Sequence, residues 1–156
     1  MAAVDDLDLE TLDFASVEPK EFARIVKGLS ARRIEEFMRG PQRRRVLDEV
    51  FGRMHTLFKP EAAGSRDALI RWRITEADGE PGDVYETHIA GGACTVTPER
   101  TGRTPQLSLT MGAPEFLKLV SGNASGPTLF FTRKLKVKGD IRLAGGLTYF
   151  FDIPKA

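Results

Sequence analysis

A chain of 156 residues with 41% apolar side chains can bury one self-sufficient core, and it has room for one domain plus an extension. Its 23 basic and 22 acidic residues leave a formal charge of +1, which argues against a dedicated nucleic-acid binder, whose affinity rests on a basic surface. One cysteine, Cys94, and two histidines allow neither an intrachain disulfide nor a Cys/His zinc cluster.

The first residues, Met1-Ala2-Ala3-Val4-Asp5-Asp6, have no apolar stretch of the secretory kind. No run of about 18 apolar residues is present to span a membrane. With the lone cysteine, this reads as a protein of the reducing cytoplasm. Residues 1–15 scatter Leu7, Leu9, Leu12 and Phe14 among acidic side chains; a free arm and a strip docked on the body both fit. Ser16 then precedes a segment in which Phe22, Ile25, Val26 and Leu29 share one helical face, with Gly28 as its end. Ser30 reads as the N-cap of a second helix that carries Ile34, Phe37 and Met38 and stops at Gly40.

Pro41 suits the first turn of a third helix, on which Leu47, Val50, Phe51, Met54 and Phe58 form the strongest amphipathic stripe of the chain. Pro60 closes it. Beyond Arg66 the period changes to two. Ile70, Trp72 and Ile74 alternate with Arg71 and Arg73, which predicts a strand with the arginines on its wet face. Asp78-Gly79 with Pro81-Gly82 reads as a turn, Val84 to Ile89 as a strand, Gly91-Gly92 as a tight turn and Cys94 to Thr97 as a third strand. Leu107, Leu109 and Met111, alternating with Ser108 and Thr110, give a fourth.

A short helix follows, with Pro114 in its first turn and Phe116, Leu117 and Val120 on its buried side, ended by Gly122-Asn123. After Gly126-Pro127, Thr128-Leu129-Phe130-Phe131 reads as a compact apolar knot. Leu135 and Val137 alternate with Lys134, Lys136 and Lys138 in a fifth strand, and Ile141 to Phe151 reads as a terminal helix. The expected order is helices, a four-strand antiparallel meander, a helix, a last strand and a helix, an α+β arrangement without βαβ crossovers.

Catalytic patterns are absent. His55 and His88 stand in no motif. Ser108, Ser121 and Ser125 lack the G-x-S-x-G context of a nucleophile elbow. Gly91-Gly92 and Gly145-Gly146 lack phosphate-loop spacing, and Glu35-Glu36 falls on a solvated helix face. No catalytic residue, metal or cofactor is therefore expected. Two basic clusters stand out, Arg43-Arg44-Arg45 and Arg133-Lys134-Lys136-Lys138. The second fits a solvated face that discourages edge pairing. The alternative is transient contact with an anionic membrane, where each cation contributes about 1 kcal/mol. Gly145-Gly146 inside an apolar helical segment permits close packing, a kink or a mobile lid.

With these elements in order, the chain resembles the sterol carrier protein type 2 family. The resemblance rests on Leu69-Ile70-Arg71-Trp72-Arg73-Ile74, on Asp83-Val84-Tyr85-Glu86-Thr87-His88-Ile89 with its Gly91-Gly92 turn, and on Leu107-Ser108-Leu109-Thr110-Met111 running into Pro114 to Gly122. Its most specific stretch is Phe130-Phe131-Thr132-Arg133-Lys134-Leu135-Lys136-Val137-Lys138-Gly139-Asp140. The likeness covers about residues 44–151.

It implies a five-stranded, mainly antiparallel sheet with helices on one face enclosing an apolar tunnel, an N-terminal helical extension over 1–40, and the lipid-binding domain over 41–156. It also implies non-catalytic binding and intracellular transfer of a sterol, fatty acid or fatty acyl-coenzyme A. A module that presents a lipid to a partner enzyme is the alternative, and a lipid-acting enzyme with His55 or His88 as base a third reading. The lining carried over comprises Phe51, Met54 and Phe58 from the long helix, and Trp72, Leu107, Leu109 and Met111 from the sheet. Phe116, Val120, Phe130, Phe131, Leu143, Leu147 and Phe150 complete it. Three departures stand out: Arg133 occupies a position where members commonly have Gly, the chain ends in Pro154-Lys155-Ala156 with no Ser-Lys-Leu address, and the first 40 residues have no counterpart.

Overall fold

Leu69 to Ile74 form the middle of the sheet. The computed structural model describes residues 18–40, 43–75, 82–98 and 101–151; the acidic stretch 1–15, Ser16, Pro41 and the turn residues Asp78, Gly79 and Pro81 lie outside them. Strand β1 (Ala68–Thr75) pairs antiparallel with β2 (Asp83–Ala90), which in turn pairs with β3 (Ala93–Thr97). On its other side β1 pairs in parallel with β4 (Leu107–Gly112), and β4 pairs antiparallel with β5 (Leu135–Gly139), giving the order β3-β2-β1-β4-β5. The sheet is mixed and open.

The expected four-strand meander is thus corrected: β4 lies beside β1 and not beside β3. The register shows why. Ile70, Trp72 and Ile74 stand opposite Leu107, Leu109 and Met111, so pairing there joins two apolar rows into one continuous face. Gln106 fixes the start: its N–H donates to the Leu69 carbonyl at 2.9 Å, and its side-chain oxygen accepts the Leu69 N–H at 2.6 Å. A central position also buries both faces of β1. Arg73 is exposed as expected, but Arg71 is 5% exposed; its reading as a wet-face residue is overturned by the partner described below.

The helices cover the Trp72 face. α1 (Pro19–Gly28) and α2 (Ala31–Met38) pack against α6 (Ala113–Val120), and the Asn123 amide donates to the Ala23 carbonyl at 2.9 Å. Ser30 caps α2, accepting the Arg33 N–H. The stripe from Leu47 to Phe58 does not form one helix. It divides into α3 (Arg43–Gly52) and α4 (Met54–Leu57) at Arg53, whose N–H is shared between the Glu49 and Val50 carbonyls, both at 3.2 Å. A short α5 (Pro60–Ala63) follows.

Beneath α3 lies a stack of rings. Phe51 sits face to face with Tyr85 (centroids 4.0 Å apart) and Phe116 (4.9 Å), and Trp72 meets Phe51 and Phe116 edge-on at 5.8 Å. The polar ends are satisfied, with Trp72 Nε1 donating to Thr87 and the Tyr85 hydroxyl to Asp48.

Gly91 and Gly92, at φ 59° and 75°, make the β2–β3 hairpin with the backbone twist such turns need. The terminal segment is shorter than expected: α8 spans Ile141–Gly146, a 3₁₀ turn takes Leu147–Phe150, and Phe151 bridges Phe58. Two glycines in succession make poor helix interior, and the chain tightens after them.

α7 (Gly126–Phe131) ends in a Schellman turn: the Arg133 N–H donates to the Phe130 carbonyl at 3.1 Å and the Lys134 N–H to the Leu129 carbonyl at 2.8 Å. Arg133 holds φ 63°, the only positive value at a non-glycine among the described residues. A side chain in this region costs roughly 1–2 kcal/mol, and glycine's greater freedom when unfolded returns about half of that. Arg133→Gly is expected to stabilise the fold by about 0.5–1 kcal/mol, a rise of roughly 2 °C in Tm by circular dichroism. Arg133→Val is expected to lower it.

Candidate functional site

Between the helical face of β4–β5 and the helices α7 and α8 lies a cavity of about 220 Å³. Period-two alternation places Leu109 of β4 and Leu135 and Val137 of β5 on its floor. Leu119 of α6 closes one side. Pro127, Phe130 and Phe131 of α7 face Ile141, Ala144 and Gly145 of α8 across the remaining walls, with Leu147 beyond them. Caps hold these helices: Ser125 accepts the Thr128 N–H at 3.2 Å, and Asp140 accepts the Leu143 N–H at 3.1 Å.

Among the described residues all lining side chains are apolar, and none of them can move a proton, attack a carbonyl or bind a metal. Its chemistry is confined to taking apolar surface out of water. Phe131 is 80% exposed, Ile141 69% and Phe130 44%. The apolar knot expected at Thr128–Phe131 is therefore corrected: Leu129 turns into the core, while the two phenylalanines meet edge-on at 5.8 Å and reach solvent.

Of the lining expected from sequence, Leu109, Phe130, Phe131 and Leu147 border this cavity. Phe51, Trp72 and Phe116 lie in the ring stack. Met54, Phe58, Leu107, Met111, Leu143 and Phe150 are buried in the core, and Val120 packs half-buried against it. Sequence reasoning passed over Leu119, Leu135, Val137, Ile141 and Ala144. The signal for two of them was available, because Leu135 and Val137 alternate in step with Leu109 and Met111.

Neither histidine approaches the cavity. His55 is exposed on α4, and His88 lies on the far side of the sheet with Nε2 2.8 Å from Asp67. Among the described residues no three His, Cys, Asp or Glu side chains gather as a metal site, and no helix is long and apolar enough to cross a membrane. Arg43 and Arg44 both bind Asp83, at 2.8 and 2.9 Å, and also hold the carbonyls of Ile74 and Pro98. The first basic cluster is in this respect structural.

The opposite face of the sheet bears a second, polar cleft of about 530 Å³, beneath the loop from Thr101 to Pro105. Arg71 anchors it. Its Nε donates to Glu86 at 2.8 Å and its Nη2 to the Arg103 carbonyl at 3.0 Å. Glu86, 1% exposed, also accepts the Thr101 N–H at 3.1 Å and the Thr101 hydroxyl. Burial alone would raise the Glu86 carboxyl, but the hydrogen bonds from Thr101 and Arg71 outweigh it and hold the group below the ordinary carboxylate range.

Residues 55–152 match the SCP-2 sterol transfer family. The fold is similar to Sterol Carrier Protein 2 Like 2 from Aedes aegypti (16% identity, TM-score 0.51, covering 70% of this chain and 98% of that one). It is also similar to Sterol Carrier Protein-2 from Aedes aegypti in complex with palmitate (16% identity, TM-score 0.50, covering 67% and 96%). The sec-alkylsulfatase Pisa1 from Pseudomonas sp. contains a like unit (15% identity, TM-score 0.61), but the match covers 71% of this chain and only 17% of the sulfatase. No curated protein sequence matches the chain.

The buried pair predicts a pH response. Because the folded Glu86 carboxyl lies below its unfolded value, the stability it contributes is complete above the unfolded pKa and is lost as pH falls through the folded one. Glu86→Gln leaves Arg71 buried without its counter-charge and is expected to cost about 3–5 kcal/mol at neutral pH. In urea melts from about pH 6 to pH 3, wild type should lose stability more steeply than the variant.

Proposed function

Since this chain belongs to the SCP-2 sterol transfer family, we propose that it is a non-catalytic cytoplasmic carrier that takes up a lipid (a sterol, fatty acid or fatty acyl-coenzyme A) in the cavity under α7 and α8. The observation that carries this reading is the wholly apolar lining. Each buried CH₂ gains about 0.8 kcal/mol, so about ten methylenes offer roughly 8 kcal/mol before ordering and association costs of several kcal/mol. The net affinity is near micromolar, suited to cargo that must be released.

At about 220 Å³ the cavity is below the roughly 300–1,000 Å³ of sites that enclose a drug-sized ligand. A full-length chain therefore requires α8 to yield. Gly145-Gly146 supplies the weak helix for that, and residues 109, 130, 131 and 147 are the ones to touch cargo first. The exposed Phe131 and Ile141 stand beside Arg133, Lys134 and Arg142 in sequence. This combination suits brief contact with an anionic membrane during loading, with about 1 kcal/mol from each cation. Residues 41–156 constitute the carrier body in this reading and 1–40 an extension, of which α1 and α2 pack against α6.

A second reading has support from the alkylsulfatase, in which a unit of this fold makes up a small part of an enzyme chain. Here the chain would present its lipid to a separate enzyme. Stable co-purification with one enzyme, together with failure to move lipid between vesicles, would favour presentation over transfer.

Native mass spectrometry of the purified protein is expected to find about one lipid per chain; an empty protein that also refuses a fluorescent fatty acid would sink the carrier reading. Val137→Trp fills the cavity floor and is expected to weaken fatty-acid binding at least about tenfold while keeping the fold. At Gly146 an added Cβ meets nothing within 4 Å. Gly146→Ala should stabilise α8 by about 0.5–1 kcal/mol and slow fatty-acid uptake in stopped-flow fluorescence.

A further inference from the structure

We infer that the polar cleft on the outer face of the sheet is a separate binding site for a small soluble molecule carrying two or more phosphoryl groups. Arg71, Arg73, Arg103 and Lys138 all line it, together with the hydroxyls of Ser108 and Thr110. The strand register fixes their arrangement: Arg71, Ser108 and Lys138 occupy one rung across β1, β4 and β5, and Arg73 and Thr110 share the next. No carboxylate lines the cleft among the described residues. Glu86, beneath it, is already engaged by Arg71 and Thr101.

Clustered cations repel one another, and the solvated arginine and lysine side chains of an ordinary surface spread apart. Here they are gathered with hydroxyl donors around one concavity, an arrangement that favours an anion dense in charge and rich in acceptor oxygens. The walls are fixed in advance. Arg71 is locked by Glu86 and by the Arg103 carbonyl, and the loop above it is tied down by Thr101 to Glu86 and by Gln106 to Leu69. A preorganised site loses less entropy on binding. Its volume, about 530 Å³, suits a small molecule. A membrane headgroup fits less well, because the exposed Phe131 and Ile141 border the cavity on the other side of the sheet, and a bilayer held there is turned away from the cleft.

Calorimetry with inorganic pyrophosphate and inorganic phosphate tests this. The expected result is one saturable site per chain that takes pyrophosphate more tightly than phosphate. Arg73 and Lys138 are exposed, so Arg73→Gln/Lys138→Gln should fold normally. This double variant is expected to weaken pyrophosphate binding at least about tenfold while fatty-acid binding stays unchanged. Lys20→Gln/Lys27→Gln removes the same charge from exposed positions on α1 and is expected to leave pyrophosphate binding within about twofold. Equal losses in both variants, or no saturable binding at millimolar pyrophosphate, would overturn the proposal. So would a protein indifferent to pyrophosphate whose sedimentation with phosphatidylglycerol vesicles depends on Arg73 and Lys138.

Discussion

Parallel pairing of β1 with β4 places Trp72 beside Leu109 and Arg71 beside Ser108 in adjacent rungs. The period-two geometry of strands then carries both characters outward to β5, where Val137 falls on the helical side and Lys136 and Lys138 on the other. One face becomes a wall for apolar side chains, the other a cationic concavity. Had β4 paired with β3, Leu109 would have faced no Trp72, and Arg71 would have stood on an edge strand with Glu86 but without Ser108 beside it. The two faces are thus consequences of one register, and a slip of a single residue would exchange them.

Packing density decides where empty space remains. Under β1 and β2 the rings of Phe51, Trp72, Tyr85 and Phe116 stack and fill the volume between sheet and α3. Towards β5 the sheet offers Leu135 and Val137, and α8 contributes Ala144 and Gly145 there, while the rings of Phe130 and Phe131 on α7 stand outward at the rim. Smaller side chains under a short helix leave a gap that the core cannot close. The cavity therefore lies at the β5 edge, beside the surface and within reach of solvent through Phe130 and Phe131.

Much of this was legible in the sequence because local rules govern it. Ser30 as a cap, Gly91-Gly92 as a hairpin and the alternation of Leu107, Leu109 and Met111 each depend on a few neighbouring residues. Choice of strand partner does not: alternation says which face a residue takes but not which strand lies alongside, so the parallel β1–β4 ladder was hidden. The break at Arg53 was hidden as well, since a bifurcated hydrogen bond leaves the apolar spacing intact. Phe130 and Phe131 look like core in a linear reading, and only the Schellman turn at Arg133 reveals that the chain reverses before they can be covered. Arg71 shows the converse case, a charge whose burial depends on Glu86 in another strand.

The bridge between Phe58 and Phe151, with the Lys59 N–H on the Phe150 carbonyl at 2.7 Å, joins points far apart in the chain. Closing so long a loop costs entropy that local contacts cannot repay early, so this clasp is expected to form late in folding. A clasp at the end of the chain is also expected to open more readily than the central strands. The segment it releases is the one that carries Gly145, Gly146 and Leu147 over the cavity. On the proposed carrier reading, the last step of folding and the admission of a guest are one movement run in opposite directions, and a guest that stays behind would complete the fold.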